Sequence, residues 1–127
     1  MWFEFYPEFY SYGIGTFRTD TLFLEYFREY LVENQDKFRE ALRVLSITGA
    51  TLDIECFKKD KPGIERVADD LKKFYNCKYF YFIYSSPEMG KLIDSSIKEE
   101  LTYAIRAFTP LYKFLAEITD KIISEGA

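Results

Sequence analysis

An α/β (or α+β) domain with a small sheet of three or four strands is the fold class that this 127-residue chain predicts, and three observations carry the prediction. Leu24, Phe27, Leu31, Asn34, Phe38, Ala41, Leu45 and Thr48 recur at alternating spacings of three and four, which sets them along one seam of a helix. "TLDIECF" at 51–57 alternates Leu52, Ile54 and Cys56 with Thr51, Asp53 and Glu55, the pattern of a strand with one wet face. "YFYFIY" at 79–84 is apolar at both parities, as expected of a central strand covered on both faces.

Along the chain, "MWFEFYPEFYSY" at 1–12 reads as extended because aromatic residues favour strands, with Pro7 denying the sheet one donor. Asp20 or Thr19 is the expected N-cap of the helix that follows. Neither Gly nor Pro interrupts 21–48, so one long helix is expected, closed by Gly49. Ile64, Val67, Ala68, Leu71 and Phe74 then mark one face of a second helix, ended by Asn76. Strand, helix and strand within 51–84 predict a parallel βαβ crossover. Ser86-Pro87 and Thr109-Pro110 each resemble a cap followed by a helix start. C-terminal helices packed on the sheet are therefore expected, with Leu92, Ile93, Ile97, Leu101, Ala104, Ile105 and Phe108 inward and a kink or new helix at Pro110.

Composition bounds the function. A chain of this length forms one domain with one core, and 13 Phe, 11 Tyr and one Trp supply much of its apolar area. With no histidine, Ser-His-Asp and Cys-His catalysis and imidazole zinc sites are excluded. Cys56 and Cys77 are too few and too separated for a zinc or iron–sulfur spacing, so buried thiols are expected, a disulfide being the minority alternative. Few amides and many charges give a thermophile-like balance. A net charge of -4 argues against nucleic acid as partner. Neither a leader nor an apolar run long enough for a membrane span is visible, and the expected location is cytoplasmic.

Two sites are expected. In a parallel sheet, ligands bind beyond the strand carboxyl ends, which here carry Arg18, Lys58, Lys59, Ser85, Ser86 and Lys91, groups suited to a phosphate-bearing anion. Trp2, Phe3, Phe5, Tyr6, Phe9 and Tyr10 are suited instead to packing across a subunit boundary, since aromatic anchors concentrate binding energy. Asp53, Glu55 and Lys59 do not match a nuclease metal signature, and no metal, cofactor or catalytic residue is assigned. The expected function is a non-catalytic homo-oligomeric interaction or regulatory subunit, most simply a homodimer; a small anionic-ligand domain is the alternative.

Overall fold

The computed structural model describes residues 1–16, 20–90 and 96–125. Four strands, β1 (Trp2–Phe5), β2 (Tyr10–Thr16), β3 (Thr51–Cys56) and β4 (Cys77–Ser86), form one sheet in the order β1-β2-β4-β3. Helices α1 (Thr21–Glu33), α2 (Gln35–Leu45), the short α3 (Lys72–Tyr75) and α4 (Ser96–Ser124) complete an α+β architecture.

Every strand pair is antiparallel, so the expected parallel βαβ unit is not formed. The reason lies in the connection. A parallel return needs a rigid element as long as the sheet. Residues 64–75 instead make two 3-10 turns, Ile64–Arg66 and Asp69–Leu71, and then the short α3, rather than the single helix expected. Gln35 holds the extended backbone between those turns, donating to Arg66 O at 3.0 Å and accepting from Ala68 N at 2.9 Å. Asn76 donates to Phe57 O at 3.0 Å and accepts from Lys61 N at 2.9 Å, fastening the end of β3 to the start of β4. The chain therefore re-enters the sheet where it left.

Asp20 caps α1 as expected, accepting from Phe23 N at 2.9 Å. The seam is buried from Leu24 to Leu45, apart from half-buried Asn34, but the long helix is not continuous. Asn34 breaks it, with φ -134° and ψ 41°, and its side chain donates to Tyr30 O at 2.9 Å. Eleven residues of straight helix would separate Phe27 from Phe38 by about 16 Å along the axis. Their rings meet edge to face at 6.0 Å. The turn at Asn34 makes that contact possible. α4 in turn continues through Pro110 as one helix, so of the kink or new helix expected there the new helix is not formed. Buried Ala107, Phe108, Leu111 and Phe114 on either side offset the roughly 3 kcal/mol that an internal proline costs. Ile105, expected inside, is 50% exposed, and Leu92 and Ile93 lie outside the described residues.

The sheet has two unlike faces. Register places Tyr10, Tyr12, Ile14, Thr16, Leu52, Ile54, Phe80, Phe82, Tyr84 and Ser86 on one of them. The four helices named above all meet that face: Phe27, Phe38 and Phe74 pack on Phe80 at 5.7, 6.1 and 5.3 Å, and Phe108 approaches Tyr12 at 6.1 Å. The other face carries Trp2, Ser11, Gly13, Gly15, Thr51, Asp53, Glu55, Tyr79, Tyr81 and Ile83, and among the described residues no helix covers it. The expectation that β4 is sandwiched on both sides is thus corrected; Tyr79, Tyr81 and Ile83 are only half-buried. Five aromatic rings within the six residues 79–84 reflect one buried ladder and one half-covered ladder.

This asymmetry is measurable in stability. Phe80→Ala removes a ring with no exposure and should cost about 3–5 kcal/mol in urea unfolding. Ile83→Ala, on the opposite face of the same strand, should cost roughly half of that or less. Equal losses would mean that both faces are buried alike.

Candidate functional site

The expected interface residues cluster on the β1–β2 hairpin, and the fold sorts them. Phe5, Tyr6 and Phe3 are 69%, 41% and 38% exposed. Phe9 stacks on Tyr6 with ring centroids 4.7 Å apart, and Tyr6 donates to the Glu4 carboxylate. Trp2 lies flat on the sheet where a Cβ on Gly13 would stand 2.5 Å from its ring, and it meets Tyr81 edge to face at 5.9 Å. Gly13 is therefore glycine because the Phe82 carbonyl and the indole fill the space where a Cβ would stand. Tyr10 belongs to the core, with no exposure and its hydroxyl donating to Glu100 at 2.8 Å.

β1 is an edge strand, and the two edges of the sheet are built differently. β3, at the far edge, alternates the exposed carboxylates Asp53 and Glu55 with apolar residues and has a register shift at Glu55/Cys56. Charges and bulges of this kind keep an edge from pairing with another chain. β1 carries exposed phenylalanines instead. Among the described residues nothing pairs with its outer side.

Beside β1 lies a cleft of about 530 Å³ between the end of β2, the first turn of α1 and the second half of α4. Met1, Ile14, Gly15, Phe23, Tyr112, Leu115 and Ala116 give it apolar walls, with Thr16, Thr119 and Asp120 as its polar groups. Met1 and Tyr112 are themselves 49% and 59% exposed, so the cleft opens into the apolar margin of β1. Sequence reasoning missed this site. Tyr112 and Thr119 lie seven residues apart on α4, a helical repeat, but only the packing of α4 on β2 brings Gly15 and Thr16 to them.

Of the residues expected to bind an anion, the described lysines and serines lie at opposite ends of the sheet. Lys58 and Lys59 follow β3 at the end of the sheet where Cys56 pairs with Cys77, whereas Ser85 and Ser86 end β4 nine residues further on, about 30 Å away. The antiparallel pairing is the cause. Ser86 is buried and accepts from Glu88 N at 3.1 Å, while Ser85 is exposed. Near the lysines, Lys61 and Lys78 sit over the Phe57 ring at 4.1 and 5.5 Å. Arg18 and Lys91 lie outside the described residues.

On the open face, Tyr81 donates to Asp53 at 2.6 Å. That bond, then burial and the Asp53 charge, raise the Tyr81 phenol above its ordinary value near 10. Burial, followed by the charges of Glu55 and Asp53, raises Tyr79 in the same way. Phenols and carboxylates thus make an aromatic, electronegative surface. Among the described residues, no three His, Cys, Asp or Glu side chains gather as a metal site, and no helix is long and apolar enough to cross a membrane.

Asp53→Asn should bring the Tyr81 phenol back down toward 10, read as an earlier rise of tyrosinate absorbance on alkaline titration. Because the folded phenol keeps a proton that the unfolded chain releases near pH 10, its contribution to stability is complete below that pH and is lost as pH climbs through the raised value. A titration curve unchanged by Asp53→Asn would show that the bond does not set this phenol.

A family model described as "Conserved hypothetical protein (DUF2461)" matches residues 1–114, which include all four strands, α1 to α3 and α4 as far as Phe114. Comparison with curated proteins and with solved structures returns no match. With most of its length covered by that model, the chain belongs to the DUF2461 family.

Proposed function

We propose that the protein is a non-catalytic assembly or regulatory subunit of the cytoplasm that forms a homodimer by pairing β1 with β1 of a second copy. The observation that supports this most is the contrast between the edges: β3 is guarded by carboxylates and a register shift, whereas β1 exposes Phe3 and Phe5. A two-fold axis through the pair sets one residue of β1 opposite itself. Centred on Glu4 it would oppose two carboxylates; centred on Phe3 it opposes two rings and sets Trp2 beside the second copy's Glu4, the favourable choice. Stable interfaces bury roughly 1,200–2,000 Å² in total, more than two four-residue strands supply. Exposed Met1, Phe5, Tyr6 and Tyr112 provide the additional apolar area.

Light scattering after size exclusion tests this reading at tens of micromolar protein. The unaltered chain should elute as a dimer and Phe3→Lys/Phe5→Lys as a folded monomer, with the emission of Trp2 shifting between them. A well-folded monomer from the unaltered chain sinks the proposal. Substitution is a cleaner test than truncation, because residues 10–14 supply Tyr10, Tyr12 and Ile14 to the core.

The cleft supports a second reading, binding of a small molecule. Its volume is in the range of ligand pockets, about 300–1,000 Å³. The expected anionic compound finds no basic side chain among the described lining residues and meets the carboxylate of Asp120; an apolar molecule with one hydroxyl or cationic group suits the walls better. A thermal-shift panel of nucleotides, sugar phosphates, medium-chain alcohols and amines should raise the melting temperature only with the last two. Ala116→Phe, which fills the cleft, should abolish the shift. Stabilisation by sugar phosphates that survives Ala116→Phe would place the ligand elsewhere.

A further inference from the structure

Cys56 and Cys77, the chain's two thiols, are direct partners across the β3–β4 ladder. The bonds beyond them identify the kind of pair: Phe57 N donates to Asn76 O at 3.0 Å and the Asn76 side chain, not its backbone, donates back to Phe57 O, the pattern that flanks a non-hydrogen-bonded pair, here set against the register shift at Glu55/Cys56. Regular pairs of this kind hold their Cα atoms about 4.5 Å apart, and one widened by the adjoining register shift still falls inside the range of about 4.4–6.8 Å that a disulfide spans. Asn76 holds this geometry through its bonds to Phe57 O and Lys61 N. Both side chains face the core layer, Cys77 within it and Cys56 packed against it. Both are free thiols, and Cys56 donates to Lys73 O at 3.3 Å.

We propose that Cys56 and Cys77 form a modification site, closing a reversible intramolecular disulfide in the folded protein when it meets a low-molecular-weight disulfide oxidant. The half-buried Cys56 reacts first. Its thiolate attacks one sulfur of the oxidant, the oxidant's S–S bond breaks, and a mixed disulfide forms as one small thiolate leaves. The Cys77 thiolate then attacks Cys56 Sγ, forming the protein bridge and expelling the second small thiolate. Two protein thiols lose two electrons and two protons; the oxidant gains both electrons, and its two thiolates take up the protons.

The surroundings shape the rate and the consequence. Burial raises the Cys56 thiol, against the opposing charge of Lys73. Burial pushes the Cys77 thiol up to about 12, with the Arg28 charge acting the other way. Low thiolate content makes the closure slow and keeps the thiols unreactive in a reducing medium. Once closed, the bridge ties the base of the loop carrying Lys58, Lys59 and Lys61, and Cys56 must leave the Lys73 carbonyl. Among the described residues no cluster of three metal-binding side chains includes the pair.

The test uses the full chain and oxidised glutathione as the oxidant. After incubation, free thiols are blocked in denaturant, and intact mass and peptide maps are recorded. The expected product is monomeric as a covalent species, lacks two hydrogens, has no free thiol, and yields linked peptides containing Cys56 and Cys77. Dithiothreitol should restore both thiols. Native protein should reach half-oxidation at an oxidant-to-thiol ratio about tenfold or more below that needed in denaturant, because the fold raises the effective concentration of one thiol at the other. Cys77→Ala should stop at glutathione on Cys56, and Cys56→Ser should leave Cys77 unmodified. The proposal is overturned if native protein keeps both thiols, if it halts at a mixed disulfide with Cys77 free, or if the bridge forms no more readily in the native state than in denaturant. The comparison of native with denatured wild type decides the matter even if a variant fails to fold.

Discussion

Phe80 is the joint on which the fold depends. Its ring has no exposure and touches Phe27 of α1, Phe38 of α2, Phe74 of α3 and Phe82 of its own strand. Phe114 of α4 closes the cluster against Phe27 and Phe38 at 6.4 and 4.9 Å. Most of these contacts are edge to face or tilted, the arrangements that the ring quadrupole favours. One strand residue thus gathers three helices directly and the fourth through its neighbours. Ion pairs between elements, Lys37 with Glu117, Arg39 with Asp70 and Arg66 with Glu29, lie at the rim and add little next to this cluster.

Because the described helices are all drawn to one face, the sheet among the described residues is left with an open face and two unpaired edges, and those are surfaces available for function. The open face sequesters its phenols against carboxylates and lays Trp2 across Gly13. The β3 edge is guarded by two carboxylates and a register shift, whereas β1 carries one carboxylate, Glu4, between the exposed rings of Phe3 and Phe5. Exposed Met1, Phe3, Phe5, Tyr6 and Tyr112 gather at β1 and the cleft next to it, while Ile47, Tyr103, Ile105 and Ile123 are exposed elsewhere on the surface. The one-sided core and the exposed hairpin are two consequences of the same distribution of rings.

Asn34, Gln35 and Asn76, the chain's only amide side chains, all bond to backbone at places where the chain changes course. Asn34 ends α1, Gln35 holds the 3-10 turns apart, and Asn76 ties β3 to β4 beside the paired cysteines. An amide can donate and accept at once, which a carboxylate or ammonium cannot. Scarce residues thus determine the turns, while the abundant rings determine the layers.

Local patterning was enough to identify much of the molecule. The helical seam from Leu24 to Leu45, the alternating strand at 51–56, the Asp20 cap and the strand at 77–86 are all set by spacing and side-chain type, since burial of one face follows directly from period. The direction of β4, the break at Asn34, the short turns in place of a helix at 64–74 and the separation of Lys58 from Ser86 were not legible there. Each depends on a bond or ring contact between residues distant in sequence, such as Gln35 with Ala68, Asn76 with Phe57, or Phe38 with Phe74. A period tells which side of an element is apolar. Which neighbour covers it, and from which direction the chain returns, is decided by the tertiary contacts that lower the free energy most, and for these rings that was a single shared core on one face of the sheet.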